Sequence, residues 1–170
     1  MKDEHTAKVN GRSLSISTKQ AIEITSFIRN KKVSYAKKVL SDVVSLKKSI
    51  PFRRFNNGVG HKKDQKGPAR YPVNAAKQIV KLLESAESNA QFKGLNSTNL
   101  VITYIKADFA SRPMKFGRQR RRKMKRTNID IIVEEKQEVK KESKPKQVEK
   151  KNKTKTVEKK ENKEVNKEEK

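Results

Sequence analysis

The sequence predicts an α+β fold: three helices packed on a small three-stranded antiparallel sheet, with a long extended β-hairpin and a disordered C-terminal tail. Three observations carry that expectation. Apolar residues recur with strand periodicity near residue 10, with helical periodicity in three blocks between residues 18 and 94, and with strand periodicity again near residues 100 and 130. That β, α, α, α, β, β order suits a helical layer against a sheet. Between the last two strand segments lies RPMKFGRQRRRKMKR, Arg112 to Arg126, in which nine of fifteen residues are Lys or Arg and none is acidic. From Lys136 onward the chain holds 14 Lys, 8 Glu and no aromatic residue, a composition that cannot bury a core.

Each element has its own local signal. Thr6 to Ser15 alternates loosely, with Ala7, Val9 and Leu14 among polar neighbours, and Gly11 at its middle predicts a bend or bulge. Ser17 and Gln20 form a capping-box pair ahead of Ala21, Ile24, Thr25 and Ile28, predicting a helix from Thr18 to Arg29. A Ser34 cap opens a second helix with Ala36, Val39, Leu40 and Val43 on one face, running to about Lys48, where cations suit the negative end of the dipole. Pro51 then stops it. The segment from Phe52 to Tyr71 carries three glycines, Pro68 and seven basic residues counting His61, which reads as a long surface loop. Pro72, at a first-turn position, starts the longest helix, whose face is Ala76, Ile79, Leu83, Ala86 and Ala90 and whose end is Gly94. Asn99 to Lys106 is apolar on both faces, Val101, Thr103 and Ile105 opposite Leu100, Ile102 and Tyr104, and Asn128 to Val133 is its antiparallel return.

Residues 1–135 therefore form one domain and residues 136–170 a low-complexity tail. The net charge of +25 divides unevenly: 14 Lys against 8 Glu leave +6 on the tail, and 30 basic against 11 acidic residues leave +19 on the domain. With only 32% hydrophobic residues the core is small, and a polyanion is needed to offset the self-repulsion of so much charge. No run of about 18 apolar residues is present, so no membrane span or membrane partner is expected. The N-terminus lacks a secretory apolar segment and there is no cysteine, so the chain is read as cytosolic, without disulfides or thiolate-bound zinc.

Two segments are candidate RNA-binding sites. The hairpin arms leave the predicted core near Ala107 and re-enter near Thr127; roughly ten residues per arm at about 3.3 Å each give a reach of about 30 Å. Arg118, Arg120, Arg121 and Arg122 can meet phosphates in planar, bidentate fashion, and Arg112, Lys115, Lys123, Lys125 and Arg126 add charge. Phe109 and Phe116 offer faces for unpaired bases, while Gly117 permits a turn with positive φ and Pro113 fixes its approach. A disordered nuclear-localisation patch is the competing reading, and the flanking strands weigh against it. The second candidate is the loop with Arg53, Arg54, His61, Lys62, Lys63, Lys66 and Arg70, whose only acidic residue is Asp64. Read from its residues alone, this segment is equally a binding surface or an ordinary solvated loop. Arg12 and Lys19 complete the basic set.

Catalytic chemistry finds no foothold. His5 and His61 lack metal-ligand spacing partners and the carboxylates are scattered, so neither an enzyme nor a cofactor or metal site is expected. Tyr35, Tyr71 and Tyr104 read as packing residues rather than chemistry. A free RNA- or DNA-binding protein of chromatin type is the main alternative to a stable ribonucleoprotein component, and a phosphodiester-cleaving enzyme is the third.

The stretches ISTKQAIEITSFIRNKKV, PFRRFNNGVGH, GPARYPVNAAKQIVKLLESAESNAQFKGL, RPMKFGR and KRTNIDIIVEE together resemble the ribosomal protein twenty-two family of the large subunit, in its archaeal or eukaryotic form. The resemblance covers about residues 6 to 135 and leaves the tail aside. It implies a cytoplasmic, ribosome-bound structural protein with large-subunit rRNA, neighbouring ribosomal proteins and the nascent polypeptide as partners, and a hairpin whose tip lines the exit tunnel. Carried over by motif, Pro113, Gly117 and Arg118 match the family's tip, with Met114 and Phe116 beside them. Lys125, Arg126 and Thr127 match the returning arm, and Arg53, Arg54, His61, Arg70 and Tyr71 match the rRNA-facing insertion. Two departures stand out: the outgoing arm ADFAS is short and weakly basic, and Asn128 stands where the family often has His, keeping a hydrogen-bond donor but losing a titratable group.

Overall fold

Five strands and three helices follow one another as β1 (Thr6–Leu14), α1 (Thr18–Ile28), α2 (Val33–Val44), β2 (Ile50–Pro51), β3 (Ala69–Arg70), α3 (Val73–Phe92), β4 (Leu100–Phe109) and β5 (Thr127–Glu135). They lie among residues 5–136, the part of the chain that the computed structural model describes; the tail beyond Lys136 is outside it. The main sheet is antiparallel with order β1–β5–β4, so the two ends of the domain meet at its centre strand. The expected α+β class is the one found.

The helical periods behave as read. Ala21, Ile24, Thr25 and Ile28 of α1, Ala36, Val39, Leu40 and Val43 of α2, and Ala76, Ile79, Leu83, Ala86 and Ala90 of α3 are all buried. Fully burying an Ile or Leu side chain contributes about 1.5–3 kcal/mol before entropy, and the helix stripes share the core with Leu100, Ile102, Ile105, Ile129 and Ile131 of the sheet. Helix α3 packs on α2 and β1, and α1 packs on β4. At Gly11 a side chain would collide with Leu82 of α3 (2.8 Å from Cβ), so the bulge between Gly11 and Leu14 begins where helix and sheet approach closely. Gly94, at φ +75, ends α3 in a Schellman motif: Leu95 N–H donates to the Ala90 carbonyl and Gly94 N–H to that of Gln91.

Local differences from the sequence reading have physical causes. The Ser17 side chain makes no capping hydrogen bond, and α1 ends at Ile28, one residue early. Helix α2 starts at Val33, because Asn30, in the left-handed region at φ 61, turns the chain back beside β4: Asn30 N–H donates to Ile102 O at 2.9 Å and Ile102 N–H to Lys31 O at 3.0 Å. That pairing covers part of the outer edge of β4. It also leaves Ser34 inside the first turn rather than at the cap. The same helix stops at Val44, well before Lys48, in a second Schellman motif with Leu46 in the left-handed region (φ 61), a position where no glycine announces the turn. Pro72 caps α3 from outside instead of opening it.

In β4 a bulge between Ile102 and Tyr104 breaks strict alternation, so Ile102 and Ile105 both point into the core. Tyr104 is thereby turned out, 46% exposed, and Tyr35 is exposed as well, so neither is a packing residue as expected. Phe52 to Tyr71 is not featureless. The β2–β3 pair, Ile50↔Arg70 and Pro51↔Ala69, closes its base, and a bridge from His61 to Pro68 ties its far end.

Candidate nucleic-acid interface

The hairpin is fixed at its root. Thr127 opens β5 with a fully buried side chain whose hydroxyl donates to the Ile16 carbonyl at 3.1 Å. Its single proton being used there, Thr127 accepts from the Thr18 hydroxyl at 2.8 Å, tying the returning arm to the start of α1. Beside it the β1 bulge is held from two sides, with Asn128 Oδ1 accepting from Ser13 N–H at 2.9 Å and Arg126 Nη1 donating to Ser13 O at 3.1 Å. In this contact Asn128 acts through its Oδ1, as an acceptor.

Regular pairing ends at Phe109↔Thr127, close to the Ala107 and Thr127 limits read from the sequence. Past that point the arms remain linked by Ala110 N–H to Arg126 O (3.3 Å), Met124 N–H to Pro113 O (2.8 Å), Lys115 N–H to Arg122 O (2.8 Å) and a Met114–Lys123 bridge. The outgoing arm carries one residue more than the returning arm between Ala110 and Met114, a slip that bends the ladder. One turn of 3₁₀ helix from Gly117, at φ +74, reverses the chain, so the glycine does what its conformational freedom suggested. Arg112 to Arg118 and Arg120 to Lys123 are exposed, and Phe116 is 88% exposed.

The basic loop is organised by two carboxylates, Glu23 from α1 and Asp64 from within the loop itself. Glu23 of α1 is buried, and its oxygens accept the backbone N–H groups of Arg53 (3.1 Å), Arg54 (2.9 Å) and Phe55 (2.8 Å). Three donors converging on one carboxylate satisfy its oxygens and clamp the start of the loop onto the helix. Asp64 accepts from the Ser49 backbone N–H and from the Ser49 hydroxyl at 2.8 Å. The backbone bond is the main reason its carboxyl lies below the usual carboxylate range, with the Ser49 and Tyr71 hydroxyls adding to it. Cations lie over the loop's aromatic rings: Arg54 and Lys19 over Phe55 (5.4 and 5.6 Å), Arg70 over Phe52 (5.9 Å) and Lys62 over Tyr71 (5.6 Å).

These placements join segments far apart in sequence. Lys19 of α1, Arg54 and Arg70 of the loop and Lys125 of the returning arm all line one cleft of about 310 Å³, with Gln20, Phe55 and Asn57. His61, Lys62 and Lys63 sit exposed farther out on the loop. Arg12 instead faces Asp130 at 3.7 Å, and one Arg126 donor is used at the bulge. Glu23, Asp64 as an anchor, and the Thr18–Thr127 pair went unread in the sequence. Glu23 lies off the apolar stripe of α1 and looks solvent-facing until the loop that covers it is in place.

The model for ribosomal protein L22p/L17e matches residues 9–134. The large ribosomal subunit protein uL22 of Thermofilum pendens is 37% identical over 140 residues, covering 79% of this chain and 93% of its own length. The protein of the same name from Methanoculleus marisnigri is 43% identical over 139 residues (78% and 91%), and that of Methanocaldococcus jannaschii 40% over 139 residues (78% and 89%). Because the match spans residues 9–134, from within β1 into β5 with both the basic loop and the hairpin between, the chain belongs to the ribosomal protein L22p/L17e family.

Proposed function

We propose that the protein is a structural constituent of the large ribosomal subunit that binds large-subunit rRNA, supports assembly and lends its hairpin tip to the polypeptide exit tunnel wall. Its family is structural and not enzymatic, and its relatives are large-subunit proteins. The observation that carries the RNA reading is the convergence of Lys19, Arg54, Arg70 and Lys125 on one cleft at the root of an exposed basic hairpin. Cations drawn from three segments onto one surface, with the nearby Glu23 carboxylate engaged by the loop backbone, form a footprint for phosphate. In this reading the loop and the hairpin arms lie against rRNA, other faces meet neighbouring ribosomal proteins, and Pro113, Met114, Phe116 and Gly117 stand nearest the nascent polypeptide.

Co-sedimentation with large subunits through a high-salt wash tests the assignment, and persistence of the protein on the subunit is the expected result. Release in the wash would favour a free nucleic-acid-binding protein. For isolated rRNA fragments, nine tip cations on phosphates of single-stranded character predict a slope of about −6 for log K against log salt. A slope near zero would remove the charge argument.

A further inference from the structure

Another cleft, of about 420 Å³, lies between α1, the start of the basic loop and the end of β4. Its size suits one nucleobase and excludes a duplex. Phe109 forms one wall, 66% exposed at the point where regular pairing stops, with the Arg112 guanidinium 5.2 Å from its ring centre. A largely exposed aromatic ring with a planar cation over one of its faces is a platform on whose other face an unstacked base can rest.

Two carboxylates line this cleft, in a surface otherwise suited to phosphate. Glu23 is committed to the loop backbone, whereas Asp108 stands at the rim, half-exposed and held by Lys106 at 2.8 Å. A carboxylate repels phosphate, but its two oxygens accept well from a base edge that offers parallel N–H donors. Guanine presents such an edge through N1–H and its exocyclic amine, and in a duplex those donors are already taken by cytosine. We infer that this cleft receives one unpaired guanine base, stacked on Phe109 and recognised by Asp108, with flanking phosphates on Arg29, Arg53 and Arg112. The inference rests on the rRNA-binding reading and adds to it a base-specific contact.

Fluorescence anisotropy with the full-length protein tests it, using three labelled RNA hairpins of equal length: fully paired, with one bulged guanosine, and with one bulged adenosine. The wild type should bind the bulged-guanosine RNA about tenfold more tightly than the paired one, as expected for one stacked and hydrogen-bonded base. Phe109→Ala should bring that affinity close to the paired value. Asp108→Asn, which removes a negative charge, should bind all three RNAs at least as tightly while losing the preference for guanosine over adenosine. Because Phe109 and Asp108 are solvent-facing at a strand end, neither change threatens the core. Equal affinity of the wild type for all three RNAs, with salt dependence intact, would overturn the guanine site and leave RNA binding standing. Retention of the guanosine preference by Asp108→Asn would overturn the role of Asp108. Absence of salt-dependent binding to any of the three would overturn both readings.

Discussion

The basic loop at residues 52–71 and the basic tip at residues 110–126 are ordered by different means. The loop is built into the domain: Glu23 and Asp64 grip its backbone and its neighbour Ser49, a two-residue strand pair closes its base, and Phe52 is buried beneath it. The tip has an ordered backbone, held by three hydrogen bonds and a bridge, but it extends its cations into solvent. Cations on a preorganised backbone lose little entropy on meeting a ligand, whereas exposed arginines gain a fixed geometry only from the partner. The loop is therefore a surface made by the protein, and the tip is one completed by what it binds.

That contrast is tested most strongly at the tip. Replacing Arg120, Arg121 and Arg122 with Glu removes three cations and adds three anions, which should weaken binding to an rRNA fragment by at least about fiftyfold at physiological salt and prevent stable incorporation into subunits. Because these side chains are exposed, Tm should stay within about 2 °C of the wild type. Normal incorporation of the triple variant, scored by sedimentation, would show that the tip does not lie in RNA.

Glu23→Ala probes the loop from the opposite direction. It leaves three backbone N–H groups without their carboxylate, and the expected loss is about 2–3 kcal/mol, or roughly 8 °C of Tm. Its effect on RNA separates two accounts. The variant gains one unit of positive charge, so a loop acting by charge alone would bind slightly better, whereas a loop acting by preorganised geometry binds less well. Weaker binding at unchanged salt slope is the expected outcome. A rise in affinity would mean that the clamp serves stability only.

The tip was legible in the sequence and the loop's architecture was not, for a physical reason. Helical stripes, the turn at Gly117 and the limits of the hairpin are local patterns, set by neighbours within a few residues. So is the cation content of both segments. What orders the loop is a contact between Glu23 and a backbone about thirty residues away, and the burial of that carboxylate has no local signature. The β4 bulge was hidden similarly: Asn30 and Lys31 pair with Ile102 across the sheet edge, and alternation within β4 alone places Ile105 on the wrong side. Leu46 in a left-handed helix terminus is a third case, since a glycine there would have marked the true end of α2.

Removal of residues 136–170 is a milder test of the same contrast. The tail carries 14 Lys and 8 Glu, a net +6 spread among mixed signs, against +19 on residues 1–135. If binding is set by organised cations on the domain, the truncated protein should hold its rRNA fragment within about threefold of the full chain, with a nearly unchanged salt slope. A large loss would make the tail an RNA-binding arm in its own right.

The smallest effect is expected from acid at the loop's second anchor. Asp64 has its carboxyl lowered from the ordinary 3.8, chiefly by the Ser49 backbone N–H. A carboxylate depressed in the folded state contributes stability that is complete above its unfolded pKa and disappears as pH falls through the folded value. At neutral pH the contact is therefore fully made, and it weakens only below pH 3.8. Solvent screens so exposed a group, so the global unfolding curve should barely register it. Local opening should show it: hydrogen exchange at the Ser49 amide ought to accelerate in that acid range, beyond the intrinsic pH dependence, in the wild type and not in Asp64→Asn. Identical behaviour of the two proteins would mean that the β2–β3 closure holds the base of the loop without the Asp64 carboxylate.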